Sequence, residues 1–307
     1  MSTQRTINAR IVADSITERG CRLTTFILVF PRFILAELNT HRMFSRNSAS
    51  SRARPFKVML KDVVDDPFIP IKWMSAHKGM QGTEYLNEVD SLAAVVQWMK
   101  SRDLAIQQAI ELDKLQVTKQ LVNRILEPYM WHEVIVTATD YENFFALRAH
   151  RDAEIHIAAL AEAMLLAYNK STPKLLRIEE WHIPFGDHFD HDKLVALVDK
   201  TSPLPAEEQI ERFKKEIASA RCARISYKPF GGEDQYDYSA DRKLFEALCI
   251  GGHMSPLEHC ARAMSDAEFD DRYANGYCGN FRGFVQYRKM FVNESRADPR
   301  VENKTKN

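Results

Sequence analysis

A polar segment between residues 40 and 52 carries the side chains best suited to binding chemistry. It combines arginines with hydroxyl, amide and imidazole groups: Thr40, His41, Arg42, Ser45, Asn47, Ser50 and Arg52. Arginine gives forked, charge-assisted hydrogen bonds to phosphate oxygens. Serine hydroxyls and exposed backbone N–H groups add neutral donors. The composition therefore suits phosphate binding, and it fits a solvated serine-rich surface loop equally well.

The same segment resembles the signature of the flavin-dependent thymidylate synthases, which runs RHRxxSxNExSxRY. Six positions match it: His41, Arg42, Ser45, Asn47, Ser50 and Arg52. Three positions depart from it, since Thr40 replaces the leading arginine, Ser48 the glutamate and Ala53 the tyrosine. The resemblance implies that the first four matched residues bind flavin and that Ser50 and Arg52 hold the phosphate of the nucleotide.

A second stretch, residues 137–157 (TATDYENFFALRAHRDAEIHI), resembles a later segment of that family. The resemblance places Asn143 at the cofactor and implies that Arg148 orients the pyrimidine ring of dUMP. An ordinary surface arginine on a helix is the alternative for Arg148. Residues 119–128 (KQLVNRILEP) resemble a nucleotide-binding helix of the family more weakly, and imply that Gln120 and Arg124 contact the nucleotide.

The second half of the chain repeats parts of the same pattern. Residues 251–259 (GGHMSPLEH) resemble a segment that precedes the signature in the family, and place His253 near flavin and folate. Residues 285–295 (VQYRKMFVNES) resemble a degraded signature, in which Arg288, Asn293 and Glu294 would contact the cofactor. We expect the two halves to complement each other in one site, whereas a decayed duplicate with a scaffolding role is the alternative.

The resemblance implies transfer of a one-carbon unit from methylenetetrahydrofolate to C5 of dUMP, giving dTMP. FAD would be the cofactor and NADPH a co-substrate, and the reaction centre would contain Arg148, His253 and Ser50, the last as a binder. Alternatives are hydroxymethylation of a pyrimidine nucleotide, or a flavin-free nucleotide-binding derivative. Because family members build each site from several subunits, the resemblance also implies a homo-oligomer, either a dimer or a tetramer.

Composition excludes several other classes of protein. The chain has 307 residues, and Lys plus Arg equals Asp plus Glu at 42 each. It therefore has no net positive charge that would attract nucleic acid. The five cysteines show no CxxC spacing, and residues 187–192 (DHFDHD) are expected to form a solvated turn, so we predict no metal site. No signal-like stretch or membrane-length apolar run occurs, which predicts a cytoplasmic protein without membrane contact.

We expect a fold of the α+β class, with a mainly antiparallel sheet packed against helices in two related units. Residues 1–170 would form the first unit, 171–206 a linker or crossing segment, and 207–307 the second unit. Residues 22–30 and 133–139 are apolar and β-branched and predict strands. Helical spacing or composition predicts helices over 33–38, 91–113, 152–168, 207–219 and 240–250. A short strand is predicted at 221–227, and a polar loop at 230–238.

Overall fold

A five-stranded sheet forms the centre of the first half, and it confirms the predicted α+β class with mainly antiparallel pairing. The computed structural model describes residues 5–78, 82, 84–226, 237–272, 274–292 and 294–295. The strand order is β3-β4-β2-β1-β5. The strands are β1 (Asn8–Thr17), β2 (Arg22–Pro31), β3 (Ser45–Ser48), β4 (Trp131–Ala138) and β5 (Lys174–Leu176).

The central strand β2 is apolar along nearly its whole length because both of its faces are covered. Its side chains pack with those of β4 and of a helix, α6 (Ile155–Lys170), in the largest buried cluster, which includes Phe26, Val136 and Leu160. A separate cluster joins α2 (Phe56–Asp65) to the long helix α3 (Glu88–Lys114). In the described residues, no helix combines the length and apolarity needed to cross a membrane.

The second half adds two helices and a small sheet with the order β10-β7-β6. These strands are β6 (Trp181–His182), β7 (Ala261–Ala263) and β10 (Phe284–Gln286), and β8 (Tyr277–Cys278) pairs with β9 (Phe281–Arg282). The large helices are α8 (Ala206–Arg224) and α9 (Tyr238–Gly251). The segment 171–206 thus supplies β5 to the first sheet and β6 to the second. The division into two related units stays a prediction.

Short helices connect these elements. They are α1 (Leu35–Asn39), α4 (Lys119–Val122), α5 (Glu142–Arg148) and α7 (His191–Val195). Short segments of 3-10 helix include Arg32–Ile34, Asn123–Tyr129, Gly186–His188, Ser255–His259, Ala274–Gly276 and Tyr287–Met290, and Glu268–Arg272 is a π-helical segment. In the acidic stretch near residue 190, the Asp190 carboxylate caps α7 by accepting from the backbone N–H groups of Asp192 and Lys193.

Two predictions about local structure need correction. The strand predicted at 221–227 is wrong, because Arg221 to Arg224 form the last turn of α8, where buried arginines pair with Asp241 of α9. The polar segment is not all loop: β3 forms within it, since its backbone pairs with β4 from Ser45 opposite Thr137. Most of the polar loop predicted at 230–238 lies outside the described residues.

Candidate functional site

Strand β3 of the first half lies directly against the 3-10 turn Ser255–His259 of the second half. The Ser45 hydroxyl donates to Glu258 Oε2 at 2.6 Å. The side-chain amide of Asn47 lies 3.2 Å from Ser255 Oγ and 3.0 Å from His259 Nε2. Two of the residues matched to the signature therefore meet the SPLEH sequence that follows His253, across more than 200 positions of the chain.

Two amide side chains that the sequence analysis did not select complete the contact around Ser45. Asn280 Nδ2 lies 3.1 Å from Ser45 Oγ and also donates to the backbone carbonyl of Met43 at 2.8 Å. Gln286 Nε2 lies 3.4 Å from Ser45 Oγ and donates to Asn280 Oδ1 at 2.7 Å. Gln286 falls within the degraded signature, which could have pointed to it, whereas no sequence signal singles out Asn280.

Glu258 is oriented by an ion pair with Arg288. The Arg288 guanidinium also donates to Glu294, at 3.2 Å to its carboxylate and 3.1 Å to its backbone carbonyl. Arg288 and Glu294, both predicted at the cofactor, are therefore paired with each other beside Glu258. Asn293, the third residue of that prediction, lies outside the described residues.

Arg148 and His41 meet at the other predicted part of the site. Arg148 Nε donates to His41 Nε2 at 3.1 Å, and the same guanidinium lies 3.5 Å from Thr40 Oγ1. Burial, followed by the nearby charges of Arg148 and Arg46, lowers the pKa of His41, so its ring is neutral and can accept this bond. Thr40, which stands in place of the family's leading arginine, thus lies beside Arg148.

Further cationic side chains surround this pair. Arg46 is half-buried, and its guanidinium donates to the backbone carbonyls of Leu38 at 3.2 Å and His41 at 3.4 Å. Burial lowers the pKa of Arg46. Arg42 is exposed. Sequence reasoning did not select Arg46, although it lies inside the signature at a position that the family leaves variable.

The loop that carries Ser50 and Arg52 is held by both halves of the chain. The Ser50 backbone N–H donates to the carbonyl of Ser226 at 2.9 Å. The buried Asn123 side chain donates to the carbonyl of Ser51 at 2.6 Å and of Arg54 at 3.2 Å. Asn123 was missed, although it lies in the weakly matched stretch 119–128. Gln120, Arg124 and Arg52 are exposed.

Within the part of the chain that the structure describes, no hydrogen bond connects Arg148 and His41 to Ser50 or Arg52. Arg148 and His41 lie at the Ser45 end of β3, while Ser50 follows its other end. β3 ends at Ser48, and at ~3.3 Å per residue the strand itself spans roughly 10 Å. His253 and Asn143 are exposed, and the described residues show no hydrogen bond from either to Ser50 or Arg148.

Three of the buried imidazoles have strongly lowered pKa values. Burial lowers the pKa values of His132, His182 and His259 to about 3 each. An unfolded histidine has a pKa near 6.5, so the unfolded chain binds more protons than the folded one between these two pH values. The contribution of these imidazoles to the free energy of unfolding should therefore be complete above about pH 6.5. It should decline as the pH falls, because protonation shifts the equilibrium toward the unfolded state.

We expect the free energy of unfolding to fall between about pH 7 and pH 5, by up to about 1.4 kcal/mol per pH unit for each of these imidazoles. Urea denaturation at the two pH values measures the slope. The variant His132→Asn should reduce the slope, whereas His191→Gln, at an exposed position, should keep it. Equal unfolding free energies at both pH values would contradict the prediction.

Comparison with known proteins adds four findings. A family model described as thymidylate synthase complementing protein matches residues 20–174. A crystal structure of the UMP/dUMP methylase PolB from Streptomyces cacaoi bound with 5-Br UMP is 17% identical, covering 54% of this chain and 90% of that one, with a TM-score of 0.47. The same protein bound with 5-Br dUMP is 16% identical, with coverages of 55% and 93% and a TM-score of 0.45. No curated protein sequence matches.

Proposed function

Because the chain belongs to the thymidylate synthase complementing protein family, we propose that it methylates dUMP at C5 to give dTMP. FAD is the cofactor, and NADPH and methylenetetrahydrofolate are co-substrates in the cytoplasm. The observation that carries the proposal is the 3.1 Å hydrogen bond from Arg148 to His41. It joins the signature to the second stretch that resembles the flavin-dependent enzymes, so two separate sequence matches meet in space.

The donor set near His41 fits a flavin dinucleotide. Arg42 and Arg46 gather positive charge and forked donors, which suit the pyrophosphate of FAD. We assign the flavin contacts to His41, Arg42 and Asn47. When bound, the flavin supplies the hydride chemistry, and the protein supplies orientation and charge.

Two of the predicted flavin contacts take a different role in this proposal. Ser45 is buried, and its hydroxyl is already surrounded by Glu258, Asn280 and Gln286. We therefore assign Ser45 to joining the two halves. Arg288, which is engaged by two carboxylates, is assigned to orienting Glu258 toward Ser45. His253 is retained as a residue facing flavin and folate.

The cysteines favour a reaction that needs no thiolate. Burial raises the pKa of Cys222 well above its usual value and that of Cys260 to about 12. Burial also raises the pKa of Cys249. Since the thiolate is the nucleophilic form, these three side chains are poor candidates for opening the pyrimidine C5–C6 bond. The flavin route avoids that requirement.

The nucleotide is held from two directions. Ser50 and Arg52 bind its phosphate, and Arg148 lies at the pyrimidine, where it stabilises the negative charge that develops as C5 becomes nucleophilic. Because β3 separates these groups within one chain, we propose that Arg148 of one copy faces residues 50–52 of another. Exposed apolar side chains on α3 support association: Val89, Leu92 and Val96 are 75%, 63% and 50% exposed.

The test is the mass of the product formed from dUMP with methylenetetrahydrofolate, FAD and NADPH. We expect dTMP, formed only with FAD present and matched by NADPH consumption. A hydroxymethyl product without NADPH consumption would show that the reaction is hydroxymethylation instead of methylation. The departures from the signature at Thr40, Ser48 and Ala53 are the reason for testing this alternative. A colourless protein that binds dUMP but cannot be reconstituted with FAD would overturn the enzyme proposal in favour of nucleotide binding.

A further inference from the structure

A buried line of hydrogen-bonded side chains runs through the molecule and ends at Asn47. We call it the relay, and it consists of Ser15, His182, Thr25, Thr137 and His259, followed by Asn47. The first five side chains are buried, and Asn47 is half-buried. They belong to β1, β6, β2, β4, the turn Ser255–His259 and β3. The relay thus links both sheets to β3, the strand that lies within the signature segment.

The distances along the relay are those of ordinary hydrogen bonds. His182 Nδ1 lies 2.9 Å from Ser15 Oγ, and its Nε2 lies 2.8 Å from Thr25 Oγ1. The hydroxyls of Thr25 and Thr137 are 2.8 Å apart. His259 Nδ1 lies 2.7 Å from Thr137 Oγ1, and its Nε2 lies 3.0 Å from the Asn47 amide.

The donors along such a line must all point the same way. Burial lowers the pKa values of His182 and His259 to about 3, so each ring is neutral at pH 7 and carries one N–H. Each threonine hydroxyl also donates once. If the Asn47 nitrogen faces His259 Nε2, then His259 donates from Nδ1, and every later group donates toward Ser15. If the Asn47 oxygen faces His259, the donor and the acceptor exchange roles in every hydrogen bond of the relay.

The hydrogen-bond partners of the Asn47 amide indicate which of the two directions the relay takes. With its nitrogen toward His259, the amide has three acceptors within reach of its two N–H donors: His259 Nε2 at 3.0 Å and the carbonyls of Arg46 and Ser255 at 3.2 Å. Its oxygen then accepts from Ser255 Oγ at 3.2 Å. This orientation satisfies more groups than the reverse one, which is how amide orientation is inferred. The oxygen lies on the side of the exposed Ser255.

We propose that the relay fixes the Asn47 amide so that its carbonyl oxygen is offered to a ligand imide N–H, with Thr25 and His182 as positioning residues. The amide oxygen keeps a second lone pair besides the one used by Ser255. Isoalloxazine and uracil both carry an imide N–H, so flavin and dUMP share the chemistry that this acceptor recognises. The inference rests on the proposed function only for the identity of the ligand.

The decisive variant is Thr25→Val, which removes one hydroxyl from the relay at a distance from Asn47. Thr24→Val is the matched control, because Thr24 is an equally buried neighbour in β2 whose hydroxyl donates to Asp14 instead. Thr25→Ser keeps the hydroxyl and should restore wild-type behaviour. Two readouts apply: the His259 tautomer by nitrogen-15 NMR of the ligand-free protein, and the Kd values for FAD and for dUMP by titration.

In the wild type and in both control variants, we expect His259 to carry its proton on Nδ1. In Thr25→Val we expect both tautomers, together with about tenfold weaker binding of the ligand that uses Asn47, the equivalent of one hydrogen bond. Weaker FAD binding identifies flavin as that ligand, and weaker dUMP binding identifies the nucleotide.

An Nε2-protonated His259 in the wild type would overturn the inference. So would a Thr25→Val variant with unchanged tautomer and unchanged affinities. If the wild-type protein binds no flavin and makes no product, the proposed function fails, while the tautomers of the four proteins still decide whether the relay controls Asn47.

Discussion

Replacing Arg148 with alanine is expected to lower kcat/KM for dUMP by at least about a hundredfold. Removing one preorganised donor that stabilises developing charge typically costs a factor of about 10² to 10³ in rate. Arg148 is half-buried, and His41 and Thr40 hold its guanidinium in place. A water molecule in the alanine variant therefore cannot supply a donor that is equally well positioned. Steady-state kinetics with saturating FAD and NADPH measures the loss, with circular dichroism to verify folding.

The control for this experiment lies three residues away. The Arg151 side chain is 89% exposed and pairs only loosely with Asp152, at 3.6 Å, so Arg151→Ala should leave kcat/KM near the wild-type value. Arg148→Lys keeps the positive charge but loses the paired N–H donors of the guanidinium group. Its kcat/KM should lie between those of Arg148→Ala and Arg151→Ala. Unchanged kinetics and dUMP affinity in Arg148→Ala would show that this side chain is an ordinary helix arginine.

Replacing Asp241 with asparagine is expected to destabilise the fold by about 3 to 5 kcal/mol, the range for breaking a buried ion pair. Asp241 is fully buried, and its carboxylate accepts from Arg224 at 2.7 Å and from Arg221 at 3.3 Å. Burial raises the pKa of Asp241 despite both arginines, which indicates how costly isolated charge is at this position. The variant leaves two guanidinium groups without their shared carboxylate.

Urea denaturation measures this loss, with Glu246→Ala as the control. Glu246 lies on the same helix but is exposed, so its removal should change the unfolding free energy by less than about 0.5 kcal/mol. A loss below about 1 kcal/mol in Asp241→Asn would show that the ion cluster does not stabilise the packing of α8 on α9. Because α8 leads directly into Ser226, the cluster also supports the contact with Ser50.

The elements with strong local patterns could be predicted from the sequence. The apolar run of β2 and the helical spacing in α3 locate these elements within a few residues. The spacing of the apolar side chains determines which local structure can bury them together. Strand β1 and strand β3 were not anticipated. β3 is polar, and only pairing with β4 and contact with the second half make it a strand, which local propensity does not encode.

The candidate site was predictable where a motif existed, and not elsewhere. The resemblance to flavin-dependent thymidylate synthases is confirmed by the family match over residues 20–174, which contains His41, Ser50 and Arg148. Asn280 hydrogen-bonds to Ser45, which is far away in the chain, so no spacing could reveal it. The roles given to single residues stay predictions.

A crystal structure of the protein with FAD and dUMP tests the central claim most directly, namely that β3 and the turn Ser255–His259 together bind the flavin. We predict an isoalloxazine ring against Asn47 and His41, with the dUMP phosphate at Ser50 and Arg52 of one copy and its base at Arg148 of another. Flavin density away from β3, or nucleotide density that touches neither Ser50 nor Arg148, would contradict the account.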